Sequence, residues 1–232
     1  VVPVPYRQPA RRREYAVPRC PAQDGYSVAS VSDSSDPVDR PTQKVNSMAE
    51  PIRIEAPLTE EVVCSLRAGD RVLINGVMLT GRDSAHQRLF DLLEAGEPLP
   101  FDPEGQIIYY TGPTPPKPGQ VIGSAGPTTS YRMDKFAPAL LAKGLRGMVG
   151  KGKRGAEVIA AMKEHKGVYF GATGGAAALI AKCIKEAEVI CYADLGPEAI
   201  RRLRVEDFPA VVINDAFGND LYKDGVKQYR KE

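Results

Sequence analysis

Apolar and polar positions recur from residue 71 onward in a way that predicts short strands separated by helices. Arg71 to Leu79 (RVLINGVML) reads as a strand, and Asp83 to Ala95 spaces its apolar residues for a helix that Gly96 stops. Pro98 to Gly105 is a turn-rich loop, and Gln106 to Thr111 reads as a strand. The proline loop Gly112 to Gly119 leads into a short expected strand, Val121 to Ser124. A helix is expected over Asp134 to Lys143, with Asp134 as N-cap and Gly144 beyond its end. Then come a strand (Arg146 to Val149), a helix (Gly155 to His165) and a strand (Val168 to Ala172). Further on, the pattern gives a helix (Ala176 to Glu186), a strand (Val189 to Tyr192), a helix (Pro197 to Leu203) and a strand (Ala210 to Ile213). Strand-rich first half and alternating second half together predict an α/β domain with mixed sheets, not a pure doubly wound sheet.

Residues 1–47 follow another pattern. They carry Arg11-Arg12-Arg13, seven prolines, the polar run Ser32-Asp33-Ser34-Ser35-Asp36 and no apolar periodicity. Such a segment buries too little apolar surface to offset its chain entropy, which predicts disorder. Its Arg and Ser content suits a transit peptide, but its five acids and the lack of an amphipathic helix do not. The simpler expectation is that residues 1–47 are extraneous to the fold and that the native chain starts at Met48. Residues 48–232 then read as one compact domain without internal repeats.

Charge narrows the function classes. Lys plus Arg number 31 and Asp plus Glu 29, and the excess belongs to the tail, since residues 48–232 hold 24 of each sign. A balanced domain has no general pull on nucleic acid or anionic lipid. No stretch approaches the roughly 20 apolar residues of a membrane span. Cys20, Cys64, Cys183 and Cys191, with His86 and His165, are too scattered for a zinc site, a disulfide scaffold or a self-contained iron–sulfur site. Cys183 and Cys191 are expected to act as small hydrophobes, and His165 as a partner of a helix C-terminus.

Four segments carry candidate chemistry. Gly150-Lys151-Gly152-Lys153-Arg154-Gly155 matches G-x-G-x-x-G, but the next strand ends in Gly171-Ala172-Thr173, without the acid that would hold a ribose. Read as a P-loop from Gly147, the stretch has Arg154 where a hydroxyl must meet magnesium. Two readings remain: an anion, such as a carboxylate, held at a helix N-terminus with Lys151 or Lys153 adding charge, or Lys151, Lys153 and Arg154 as solvated loop charges. The residues alone favour the second. Thr173-Gly174-Gly175 suits either an anion or close helix–sheet packing. In Gly81-Arg82-Asp83-Ser84-Ala85-His86, Arg82 suits bidentate carboxylate binding, against a surface pair beside an N-cap Asp83. Gly126-Pro127-Thr128-Thr129-Ser130-Tyr131-Arg132-Met133-Asp134 brings hydroxyls and a cation toward an expected helix N-terminus; the alternative is ordinary turn chemistry.

Taken together and in this order, these segments resemble the C-terminal domain, or separate β subunit, of the iron–sulfur class I fumarate hydratases and L(+)-tartrate dehydratases. The resemblance covers about residues 50–230, and Gly-Pro-Thr-Thr-x-x-Arg-Met-Asp is its most specific element. It implies a swivelling β/β/α three-layer domain that closes over an α subunit, which would carry the [4Fe-4S] cluster on three cysteines. It implies Thr128 as the catalytic base, with Arg82, Arg132 and Lys151 as catalytic cations. It also implies Arg82, Asp83, His86, Thr129, Arg132, Lys151 and Gly174 as the set around a C4 dicarboxylate substrate, with Asp83 and His86 orienting Arg82. Lys153 is the alternative to Lys151. The expectation is a cytoplasmic hetero-oligomer that hydrates fumarate to L-malate. L(+)-tartrate dehydration to oxaloacetate, or an assembly module inert when alone, stand as alternatives.

Overall fold

A computed structural model of the chain describes residues 50–230. The expected tail, the start at Met48 and Cys20 lie outside the described residues. Strands β1 (Ile52–Ala56), β2 (Arg71–Thr80), β3 (Ile107–Tyr109), β4 (Gly147–Gly150) and β5 (Val168–Gly171) pair in that order, each parallel to the next. Strand β6 (Ile184–Cys191) runs antiparallel to β7 (Ile200–Asn214). Strand β7 also pairs antiparallel with both β2 and β5, so the pairings β2–β3–β4–β5–β7 return to β2. The mixed α/β class expected from the sequence is what forms.

The helices are α1 (Glu60–Ser65), α2 (Asp83–Glu94), α3 (Ala137–Ala142), α4 (Ala156–His165), α5 (Ala177–Cys183) and α6 (Leu221–Tyr229). The central strands are apolar on both faces, which is why they read as continuous hydrophobic runs. Their period of two sends neighbours to opposite sides. Ile107, Tyr109, Val149, Val168 and Phe170 join one core group with Val63 of α1 and Ile180 of α5. Ile108, Tyr110, Met148 and Tyr169 join another with Leu89 of α2, Leu140 of α3 and Met162 of α4.

Several expected elements are corrected. Residues 197–203 are not a helix: Pro197 and Glu198 close a 3-10 turn (Ala193–Glu198), and Ile200 begins the fifteen-residue strand β7. There Leu203 and Val205 point inward, while Arg202 and Arg204 meet Glu188 and Glu186 across the β6–β7 pair. Cross-strand charge pairing and pairing on both flanks override whatever helical spacing the segment has. For the same reason the helix expected to reach Glu186 ends at Cys183, and Ile184 to Glu186 belong to β6. The segment 121–124 forms no strand, because Ser124 exchanges hydrogen bonds with Thr114 and closes a loop instead. Asp134 does not cap its own helix: a 3-10 turn covers Ser130–Met133, and α3 starts at Ala137 with Pro138 in its first turn. The pattern did not reveal the short β1 and α1, nor α6.

Candidate functional site

Three of the four candidate segments leave the carboxyl ends of parallel strands, and the fourth docks beside them. Arg82 follows β2, Lys151 follows β4 and Gly174 follows β5. The Thr128 segment docks between the ends of β3 and β4: the Thr128 amide donates to the Tyr110 carbonyl at 2.6 Å, the Lys151 amide donates to the Thr128 carbonyl at 3.2 Å, and the Ser130 amide donates to the Lys151 carbonyl at 2.9 Å. Ligand sites of parallel α/β sheets, open or closed into a barrel, gather at this end of the strands. The hollow around Arg146, Glu104 and His165, of about 580 Å³, lies elsewhere, at the start of β4.

The Arg82 side chain is 24% exposed, with Nη2 3.5 Å from Glu198 Oε1 and Nε 3.7 Å from Asp83 Oδ2. Its guanidinium lies against Gly112, where a Cβ would stand 2.6 Å from Nη1. Asp83 Oδ1 lies 2.9 Å from Nε of Arg132, so one carboxylate sits between two guanidinium groups. Arg132 rides the 3-10 turn Ser130–Met133 and is 43% exposed. Its bond to Asp83 uses Nε and leaves the terminal nitrogens for another carboxylate. Glu198 also accepts from the Ser84 amide at 2.8 Å, serving the first turn of α2 where Arg82 occupies the N-cap without capping it. Glu198 lies far from Arg82 in sequence, and no local signal marks it.

Lys151 is exposed, beside Thr129 in an isolated parallel bridge. Gly174 is its neighbour: a Cβ there would lie 3.8 Å from Lys151 Cδ. Thr128 and Thr129 are half-buried. His86 is fully buried behind this surface. Its Nδ1 lies 2.9 Å from the Arg82 carbonyl oxygen, which makes Nδ1–H the donor and leaves Nε2 an unpartnered acceptor. Burial lowers its pKa to about 4, with the carbonyl contact opposing, so the ring is neutral. From there it reaches the surface through Arg82.

The reading of Arg154 as a solvated loop charge is overturned: its side chain is 0% exposed. Nε lies 2.8 Å from Asp134 Oδ1, Nη1 donates to the Tyr110 hydroxyl at 3.2 Å, and the guanidinium stacks about equally near the Tyr110 and Tyr169 rings. The other Asp134 oxygen accepts from the Gly155 amide at 2.6 Å. The helix N-terminus after the glycine-rich loop thus holds the chain's own carboxylate, which is why that loop is no phosphate cradle here. Lys151 and Lys153 do remain exposed.

Cys64, Cys183 and Cys191 are unpaired, and among the described residues no three ligating side chains converge on a metal position. Burial raises the Cys183 thiol pKa, and pushes that of Cys191 to about 11. No helix among the described residues is long and apolar enough to cross a membrane.

The model of the family described as "Fumarase C-terminus" matches residues 27–225, a span that begins inside the segment expected to be extraneous. A protein of Geobacillus stearothermophilus provisionally named fumarate hydratase class I is 43% identical over 178 residues, covering 75% of this chain and 34% of that protein. The aerobic class I fumarate hydratase of Escherichia coli is 43% identical over 155 residues, covering 66% of this chain and 28% of that protein. A protein of Methanocaldococcus jannaschii provisionally named L(+)-tartrate dehydratase subunit beta is 38% identical over 181 residues, covering 75% of this chain and 93% of that protein. The chain therefore spans about a third or less of the named fumarate hydratases, and nearly all of the β subunit.

Proposed function

Since the chain belongs to the fumarase C-terminus family, we propose that it is the β subunit of a two-subunit iron–sulfur hydro-lyase that reversibly hydrates fumarate to L-malate. The observation that carries this reading is the pairing of Arg82 and Arg132 around Asp83 at the same strand edge as Thr128 and Lys151. Two guanidinium forks on one edge suit a substrate with a carboxylate at each end. The similarity to a relative named as a separate subunit, 93% of which is covered, is what favours a two-chain arrangement in this reading.

In this reading Arg82 and Arg132 bind the two carboxylates, and Asp83 sets the distance between them. Thr128 removes the proton from the carbon beside a carboxylate during dehydration and returns it during hydration. Lys151 and the arginines favour the alkoxide this requires and the charge that builds on the carboxylate. Asp83 and His86 orient Arg82; Thr129 and Gly174 border the substrate. Lys151 is preferred to Lys153 because it adjoins Thr129 and Gly174.

The described cysteines of this chain do not fit a cluster. The [4Fe-4S] group is assigned to the partner α subunit, where it would supply Lewis-acid chemistry. The layered, swivelling β/β/α motion belongs to the same proposal, supported by two core groups on opposite faces of the central strands. Unpaired thiols among the described residues suit a reducing compartment such as the cytoplasm. The similarity to a tartrate dehydratase subunit favours L(+)-tartrate as the second substrate reading.

An anaerobic assay of this chain co-purified with its cluster-bearing partner, given fumarate and L(+)-tartrate in parallel, tests the proposal. Turnover of fumarate by the pair and none by this chain alone is the expected result. Turnover of tartrate only would move the assignment to the second reading. A cluster-loaded pair that converts neither would leave a non-catalytic assembly module.

A further inference from the structure

Tyr169 lies on β5, fully buried beneath the candidate site. Its hydroxyl donates to the Gly152 carbonyl at 2.9 Å and accepts from the Ser130 hydroxyl at 2.8 Å. One atom therefore ties together the turn that carries Lys151 and the segment that carries Thr128 and Thr129. The local sequence is shaped for this contact. Gly152 has φ +84, a left-handed conformation that favours glycine, and its carbonyl is the one that meets Tyr169. Gly150 lets Ser130 approach, since any Cβ there would collide with the Ser130 hydroxyl. The Tyr169 ring is held in turn by the buried Arg154 guanidinium, 5.1 Å from its centroid. Burial raises the phenol pKa, so the hydroxyl stays a donor over the working pH range.

We infer that Tyr169 is a positioning residue for Lys151: its hydroxyl clamps the Gly150–Gly152 turn to the Thr128–Ser130 segment and fixes where the lysine charge stands. This rests on the proposed role of Lys151. The tyrosine touches no substrate; it acts by holding backbone that the sequence leaves free, because glycines flank the lysine on both sides.

Tyr169→Phe removes the hydroxyl and keeps the ring, the stacking on Arg154 and the packing. In the full chain, the amides of Ser130 and Lys151 bridge the two segments and report on the clamp by hydrogen exchange. They should exchange at least about tenfold faster in Tyr169→Phe, with the amides of β2 unchanged. In the assembly with the partner, kcat/KM for fumarate should fall about tenfold or more, as expected for a misplaced charge. Ser130→Ala should reproduce both effects. In a Lys151→Ala background, Tyr169→Phe should lower kcat/KM no further, because the two act through one group. Unchanged exchange at Ser130 and Lys151, or losses that multiply with that of Lys151→Ala, would overturn the inference. If Thr128→Ala retains full turnover, or the assembly converts neither fumarate nor tartrate, the functional reading fails. The exchange result then decides the clamp by itself.

Discussion

Gly112→Ala separates the proposed binding role of Arg82 from the stability of the fold. A Cβ at position 112 would stand 2.6 Å from Arg82 Nη1, 3.1 Å from Cδ and 3.5 Å from Cζ. Ordinary contacts lie at about 3.5–4.0 Å, so the guanidinium must move by roughly 1 Å. What moves is the end of a flexible side chain, and Gly112 does not have a left-handed φ. Alanine therefore fits the backbone, and the folding cost should stay below about 1 kcal/mol, or about 4 °C in melting temperature. The catalytic cost is larger. A clamp displaced by about 1 Å can lose about a hundredfold in rate, or about 2.7 kcal/mol of transition-state stabilisation. The shift also breaks the 3.5 Å contact with Glu198. The assay is steady-state hydration of fumarate by the assembled pair, alongside thermal melting of the full chain. Wild-type kcat/KM would refute the placement of Arg82 at a substrate carboxylate. A large fall in melting temperature would refute the claim that only the side chain yields.

Three further outcomes follow from the same contacts. Thr128→Ala should abolish turnover with little change in melting, since the hydrogen bonds that dock this residue are backbone ones; retained turnover would remove it as the base. Arg154→Met should destabilise the chain by about 3 kcal/mol in urea titration, the lower end for a broken buried pair, because Asp134 is partly exposed and still accepts from Gly155. His86 predicts an acid limb. Its folded pKa of about 4 lies below the unfolded value, so its contribution is complete above about pH 6.5 and is lost as pH falls toward 4. At about 1.4 kcal/mol per pH unit, wild type should lose about 3 kcal/mol more than His86→Leu across that window in urea midpoints.

How much of this was legible in the sequence depends on the range of the forces involved. The strands β2, β4 and β5 and the helices α2 and α4 carry their own signals, because their apolar periodicity is local and the central strands are buried on both faces. The motif residues that follow these strands were equally legible, being tied to the strand ends by chain connectivity. Of strand β7 only the end, Ala210 to Ile213, was; its first part was not, because its pairing is decided by β2 and β6, and a bulge at Glu206-Asp207 shifts its alternation midway. Glu186-x-Glu188 and Arg202-x-Arg204 were the missed cue: charges two apart on two segments pair across strands and do not suit a helix. Arg154 was misjudged because nothing near it in sequence announces that Asp134, Tyr110 and Tyr169 converge on it. Glu198 was missed for the same reason.

The electrostatics of the strand edge explain why this surface would need a second one. Arg132 and Lys151 stand in water, and Arg82 is partly exposed. An ion pair made there is worth about 0–1 kcal/mol. Asp83 and Glu198 lower the local positive potential further, because they hold the same guanidinium groups the proposed substrate would engage. A dicarboxylate binding to this face alone would trade well-hydrated carboxylates for weak, screened contacts. If another surface excluded water, the same charges at about 4 Å would gain from about 1 to about 4 kcal/mol as the effective dielectric falls from 80 to 20. The proposed clamps would thus be arranged before substrate arrives, by Asp83, Glu198 and the buried Arg154–Tyr169 layer. In the proposed assembly their strength would wait on closure. In the proposed two-chain assembly, such a site would discriminate by geometry on this chain and gain affinity only at the interface with the other.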